Sequence, residues 1–253
     1  MKKIIFVVFV SIAFVFAGCN PKEKYKRTVE MPLPITANQK LIVSTDVGSI
    51  TINESNLPQP NLKAEITGKG ETLEQAQKVA ESVKIKIETQ ANGDICLKID
   101  KPFEIKSDWL IVDYTLNVPT DISLDCRTDV GSITIKDIKG DIYASCDVGS
   151  INCDNVSGNL KLQTDVGDIH AKCANDSNCL VKTNISTDVG SIHFKGPENM
   201  SAKIAASSDV GKINSAQPGT KQKDGCEESF NGTAGSGQGD IRLSTDVGSI
   251  DIE

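Results

Sequence analysis

The chain has 253 residues and a formal net charge of −7, so a nucleic-acid partner is excluded: an acidic chain without a basic run offers phosphates no footprint. Aromatic residues make up only 4%, too few to supply stacking faces for sugars along a catalytic cleft, and none of the 8 cysteines forms a Cys-x-x-Cys pair, which removes zinc-ribbon and thioredoxin-like chemistry.

Met1-Lys2-Lys3, the apolar run Ile4–Phe16 and Ala17-Gly18-Cys19 read as a bacterial lipoprotein signal over residues 1–18. The run is shorter than the roughly 20 residues that span a bilayer. Ala17-Gly18-Cys19 resembles a lipobox, with Phe16 where Leu is usual. That resemblance implies cleavage before Cys19, fatty acylation of Cys19, and a membrane-anchored protein of the bacterial cell envelope facing periplasm or exterior. Residues 19–39 carry many charges, Pro32 and Pro34, and are predicted to be a lipid-anchored tether. The remainder, 40–253, is predicted to be one domain.

Lys40-Leu41-Ile42-Val43 begins the first strand, and Asp-Val-Gly at 46–48 is the first copy of a motif that recurs six more times. Thr72 and Gln75 have capping-box spacing, and Leu73, Ala76, Val79, Ala80 and Val83 follow at helical intervals. One short helix is therefore expected, followed by strands at 84–89, 94–100 and 109–118. The segment 67–120 is read as a cap on the end of the domain.

The later copies of the motif centre on Asp129, Asp147, Asp165, Asp188, Asp209 and Asp246, the first three spaced by 18 residues. Each unit holds two short alternating runs and two turns. No unit buries its apolar face alone, so copies must stack. Apolar residues recur five before each Asp, broken only by Thr183, one after (always Val) and four after (always Ile). The fold class expected is all-β: a right-handed, single-stranded parallel β-helix, or β-solenoid, with one inserted helix. Contiguous coils are expected over 121–214, a loop without strands over 215–239, and a final coil at 240–253 that closes the stack.

Lys40-Leu41-Ile42-Val43, the helix insertion, Val112–Pro119, the repeated Gly-x-Ile turns and Gly237-Gln-Gly-Asp-Ile-Arg-Leu together resemble a family of bacterial envelope β-strand-repeat proteins that go by the name of putative adhesins. The resemblance covers roughly residues 40–253. It implies a right-handed β-helix on the cell envelope.

Stacking would set the Asp residues about 4.8 Å apart, with roughly 0.9 kcal/mol of repulsion per neighbour in water. A hydrogen bond from the Gly amide to each carboxylate is expected to offset it, in preference to a string of Ca²⁺ ions. His170 and His193 both fall five residues after their Asp and should be exposed neighbours with Asp168 close by; two imidazoles and a carboxylate could hold Zn²⁺ or Cu²⁺, but the preferred reading is a surface column without metal. Cys126 and Cys153 fall on apolar columns and read as core. Cys173 and Cys179 bracket the one insertion in the contiguous coils and are the disulfide candidates. No catalytic residue and no cofactor is predicted. The function expected is a non-enzymatic, adhesin-like interaction scaffold anchored to the membrane by its lipid and contacting an unknown protein or glycan. A glycan-active envelope enzyme and a passive spacer are the alternatives.

Overall fold

The computed structural model describes residues 23–55, 59–106, 109–175 and 179–253, the side chains of 179–181 excepted. Strand β1 (Glu23–Pro32) comes first, then β2 (Lys40–Val47), β3 (Ile50–Glu54), β4 (Asn61–Gly70), helix α1 (Leu73–Ser82), β5 (Lys84–Thr89), β6 (Ile95–Asp100) and β7 (Leu110–Val118). Strands then come in pairs, one on each side of a motif turn: β8 (Ser123–Val130) and β9 (Ile133–Lys136), β10 (Ile142–Val148) and β11 (Ile151–Val156), β12 (Gly158–Val166) and β13 (Ile169–Cys173), β14 (Cys179–Val189) and β15 (Ile192–Lys195), β16 (Ala202–Val210) and β17 (Ile213–Ser215). A hairpin of β18 (Gly219–Asp224) and β19 (Glu227–Ala234) precedes the last pair, β20 (Gly239–Val247) and β21 (Ile250–Ile252).

The described residues are all-β apart from α1. Their strands form two open, mixed sheets, ordered β18-β19-β16-β20-β14-β12-β10-β8-β2-β6-β5 and β1-β4-β7-β3-β9-β11-β13-β15-β21-β17. In the middle of both sheets the ladders are parallel and the register equals the repeat: Ile142 lies between Leu124 and Leu160, and Ile151 between Ile133 and Ile169. The core lies between the sheets. Ile50, Ile133, Ile151, Ile169, Ile192, Ile250 and Ile213 form one stacked column, each fully shielded from solvent. Burying one such side chain stabilises by roughly 1.5–3 kcal/mol.

The expected helix and cap strands form. The Thr72 hydroxyl accepts from Gln75 N–H at 3.3 Å, and Gln75 Oε1 accepts from Glu71 N–H at 3.0 Å. Helix α1 packs on β4 and β1. Gly68 and Gly70 permit this contact, since a Cβ at Gly68 would stand 2.1 Å from the Ala76 carbonyl oxygen.

Three expectations are corrected. The first is the tether over 19–39, which contains β1, paired antiparallel along the whole of β4. Tyr25, Val29 and Met31 alternate with charged residues and pack against the core, a period the surrounding Lys and Glu residues mask. Arg27 on the same strand donates to the Ala80 carbonyl at 2.9 Å and to that of Val83, which satisfies the end of α1. The second is the loop over 215–239, most of which is the β18–β19 hairpin, turning at Gly225-Cys226 between the paired Asp224 and Glu227, with Gly225 at φ +60°. Glycine at the first central position of a two-residue loop is a hairpin signal.

The third correction concerns the order of the coils. The last pair does not close the stack: β20 lies between β14 and β16, and β21 between β15 and β17. Because β19 takes the outer edge of β16, the chain can return only to its inner edge. The loop that makes this return is pinned at Ser201, whose carbonyl accepts from Gly239 N–H at 2.9 Å.

This order yields a prediction. Excising one internal unit, Val148–Asp165, rejoins Asp147 to Val166 in register and should leave a cooperative thermal melt. Deleting Gly239–Glu253, which removes a strand pair bonded on both sides, should lower the melting temperature more than the excision does. Circular dichroism melts of both variants check it, with the out-of-register excision Val148–Val156 expected to unfold the centre.

Candidate functional site

At each motif turn the backbone of one strand pair meets that of the next. Gly131 N–H donates to the Val148 carbonyl at 3.0 Å, Gly149 to Val166 at 2.9 Å, Gly167 to Val189 at 2.9 Å and Gly190 to Val247 at 2.9 Å. The Gly amide is therefore spent on the neighbouring coil and not on the Asp carboxylate, which corrects the expected local hydrogen bond. The residue before Asp works in the other direction. Thr128 donates its hydroxyl to the Gly48 carbonyl at 2.9 Å, Thr164 to Gly149 at 3.0 Å, Thr187 to Gly167 at 3.0 Å and Thr245 to Gly190 at 2.9 Å. Cys146 and Ser208 occupy the same column. Glycine is obligatory here: Gly149 has φ +145°, and a Cβ on it would lie 1.8 Å from the Gly131 carbonyl oxygen.

Because this Thr column faces inward, the two residues after it face out. Val130, Val148, Val166, Val189, Val210 and Val247 are 47–51% exposed, although an apolar residue at every repeat had suggested a place in the core. The ladders align them in the order Val130, Val148, Val166, Val189, Val247, Val210. The Asp column runs beside them, also exposed. Asp46 is held by Lys101 Nζ at 2.8 Å. Burial, then Asp147 and Asp46, raise the carboxyl of Asp129 above the ordinary Asp value.

The two histidines meet as expected. His170 and His193 occupy paired positions on β13 and β15, their rings parallel to within 3° with centroids 4.6 Å apart. Asp168 is not the carboxylate beside them, since its Oδ1 accepts from Ser191 N–H at 2.7 Å. That place belongs to Asp251, whose Oδ2 lies 3.2 Å from His193 Nδ1 and whose Oδ1 accepts from Asn214 Nδ2 at 2.8 Å. Sequence order put Asn214 next to His193; the inserted last coil puts Asp251 there instead. The rings line a shallow concavity of about 320 Å³ with Asn152, Lys172, Lys195 and Asp251. Lys172 pairs with Asp154 at 3.0 Å and Lys195 with Glu253 at 2.9 Å. Among the described residues no three His, Cys, Asp or Glu side chains converge as a ready metal cage.

Cys126 and Cys153 are buried as expected; burial pushes both thiols up, that of Cys153 to about 12, which keeps them protonated and inert. Cys173 is buried at the end of β13, whereas the side chain of Cys179 lies outside the described residues, as does Cys19 with the whole signal segment. Among the described residues no helix is long and apolar enough to cross a membrane.

No family model matches the chain, and no curated protein matches it. Solved structures to which it is similar include a putative cell adhesion protein from Clostridium sporogenes, at 17% identity and TM-score 0.46 over 91% of this chain and 99% of the other. A putative adhesin from Bacteroides fragilis matches at 16% identity and TM-score 0.42, over 93% of this chain and 100% of the other. A putative lipid binding protein from Parabacteroides distasonis matches at 10% identity and TM-score 0.33, over 90% and 96%.

Two substitutions separate the roles of the columns. Gly149→Ala should destabilise by more than about 2 kcal/mol, because strain at positive φ adds to a backbone clash. Asp129→Asn should instead raise the melting temperature at neutral pH. A carboxyl whose folded value is raised binds its proton more tightly in the folded state, so stability falls as pH rises through the carboxylate range. The gain should therefore vanish in acid, where Asp129 is itself neutral. Melts of both variants against the parent across pH 3–7 check this.

Proposed function

We propose that the protein is a lipid-anchored β-solenoid of the bacterial cell envelope, right-handed in its coils, that serves as a non-enzymatic, adhesin-like interaction scaffold. The solenoid reading is supported by strands that alternate between the two sheets in a repeat-long register, and the hand by the bias of parallel crossovers. The observation that carries the function is the valine column. Six half-exposed valines in ladder register form an apolar strip about 24 Å long at strand spacing, bordered by carboxylates. Contiguous exposed apolar surface rimmed by polar groups marks interaction sites. A protein or glycan partner would lay apolar surface along the valines and set donors or cations against the Asp column. Repetition of the same two residues at each coil suits an extended contact better than catalysis, which needs unlike groups in one place.

Replacing Val148, Val166 and Val189 together by Thr keeps shape and strand propensity, and each exposed change should move stability by no more than about 0.5 kcal/mol. Retention of envelope components by the immobilised domain should fall severalfold in this variant; equal retention would place the contact elsewhere. For the anchor, a clickable fatty acid fed to the producing bacteria should label the parent and leave Cys19→Ala unlabelled.

A further inference from the structure

We propose that His170 and His193, oriented by Asp251, form a two-imidazole site for a divalent transition-metal ion of the Zn²⁺, Ni²⁺ and Cu²⁺ group. Three observations combine. The imidazoles sit at paired positions on neighbouring parallel strands with rings stacked 4.6 Å apart, so their edges point the same way out of the sheet. Among the described residues the side chain of His170 makes no hydrogen bond or ion pair, which leaves its ring nitrogens open to a ligand, while its backbone is held in the ladder. On His193 one nitrogen is already committed. Nδ1 faces Asp251 Oδ2 at 3.2 Å, and an imidazole N–H facing a carboxylate donates to it, so the neutral ring keeps its lone pair on Nε2. A carboxylate behind the non-ligating nitrogen is the usual support of a metal-binding histidine.

Asp251 is itself fixed, since Asn214 Nδ2 donates to its other oxygen at 2.8 Å. The relay from Asn214 through Asp251 to His193 spans β17, β21 and β15, and it exists only because the last coil is inserted between its predecessors. The concavity in front of the rings, about 320 Å³, has room for an ion with several waters. Two imidazole nitrogens bound at about 2.1 Å in a tetrahedral shell lie about 3.4 Å apart, and their lone pairs lie in the ring planes, so the parallel rings must tilt toward one another and close by roughly 1 Å from their stacked positions. Both side chains are exposed; His170 is free to make that turn, and His193 can tilt about its contact with Asp251. With two protein nitrogens and water completing the shell, imidazole ligation favours the late first-row ions over Mg²⁺ or Ca²⁺.

Calorimetric titration of the purified protein with Zn²⁺ and with Ni²⁺ tests it, in a Cys226→Ser background so that the exposed thiol on the β18–β19 turn does not compete. Asn stands in this column at 152 and 214, so His170→Asn and His193→Asn preserve the strands, which melts in EDTA verify. One equivalent should bind, and each histidine variant should bind at least tenfold more weakly. Asp251→Asn should weaken binding by about 10–100-fold while keeping both imidazoles. Nitrogen-15 spectra should show the His193 Nε2 resonance moving on metal addition. Undiminished binding in the double variant His170→Asn/His193→Asn, or no binding by the parent, would overturn the site; parental affinity in Asp251→Asn would overturn the orienting role of Asp251.

Discussion

The contact on which the molecule depends is the one between successive glycines. Gly131, Gly149, Gly167, Gly190 and Gly248 each lie under the carbonyl of the Gly stacked before them, their own N–H bonded to the next strand pair. Gly48, Gly131, Gly149, Gly167, Gly190 and Gly248 each accept at their carbonyl a hydroxyl or thiol from the next strand pair. The approach is closer than any side chain allows, and it sets the phase of everything on either side. Isoleucine four residues after each Asp is forced inward into an unbroken column, and Thr one residue before it is forced inward as well. A polar residue buried once per coil costs little only because its hydrogen bond repeats with it.

The same phase turns Asp and Val outward. Carboxylates about a strand spacing apart repel one another, and apart from Asp46, which Lys101 holds, the described column carries no compensating cation. Glu65, by contrast, sits between Lys26 and Lys63 and is lowered by both, with burial opposing. Charge is paired on the strands that cover the end of the molecule and left unpaired along the motif Asp column beyond Asp46. An acidic ridge with an apolar strip beside it is the most regular surface the chain presents, and the histidine pair on the other sheet is the most irregular. The first suits extended contact and the second a small ligand.

Much of this was legible beforehand because repetition exposes it. The register, the Ile column, the helix with its Thr72 cap, the strands of the covering segment, the adjacency of His170 and His193 and the burial of Cys126 and Cys153 all follow from counting residues and noting polarity. Other features were hidden for identifiable reasons. Tyr25, Val29 and Met31 alternate within a charged stretch, so the strand they form looked like a tether. Valine is the wrong residue by polarity for the outward position it holds, and only the burial of Thr beside it reveals the true phase.

What the sequence by itself determined is the unit: its length, its turn, and the residues that stack when one unit lies on another. Only the tertiary structure decided the order of the units. Every strand pair offers the same ladder edges and the same inward columns, so the last pair fits the slot beside β14 and β16 as well as it would fit the end of the sheets. The choice is made by β19, which covers the outer edge of β16 through antiparallel bonds and leaves the returning chain one free edge. That long-range competition for a strand edge is invisible in any single repeat, yet it brings Asp251 to His193, because interchangeable units carry no information about their neighbours and edge pairing does.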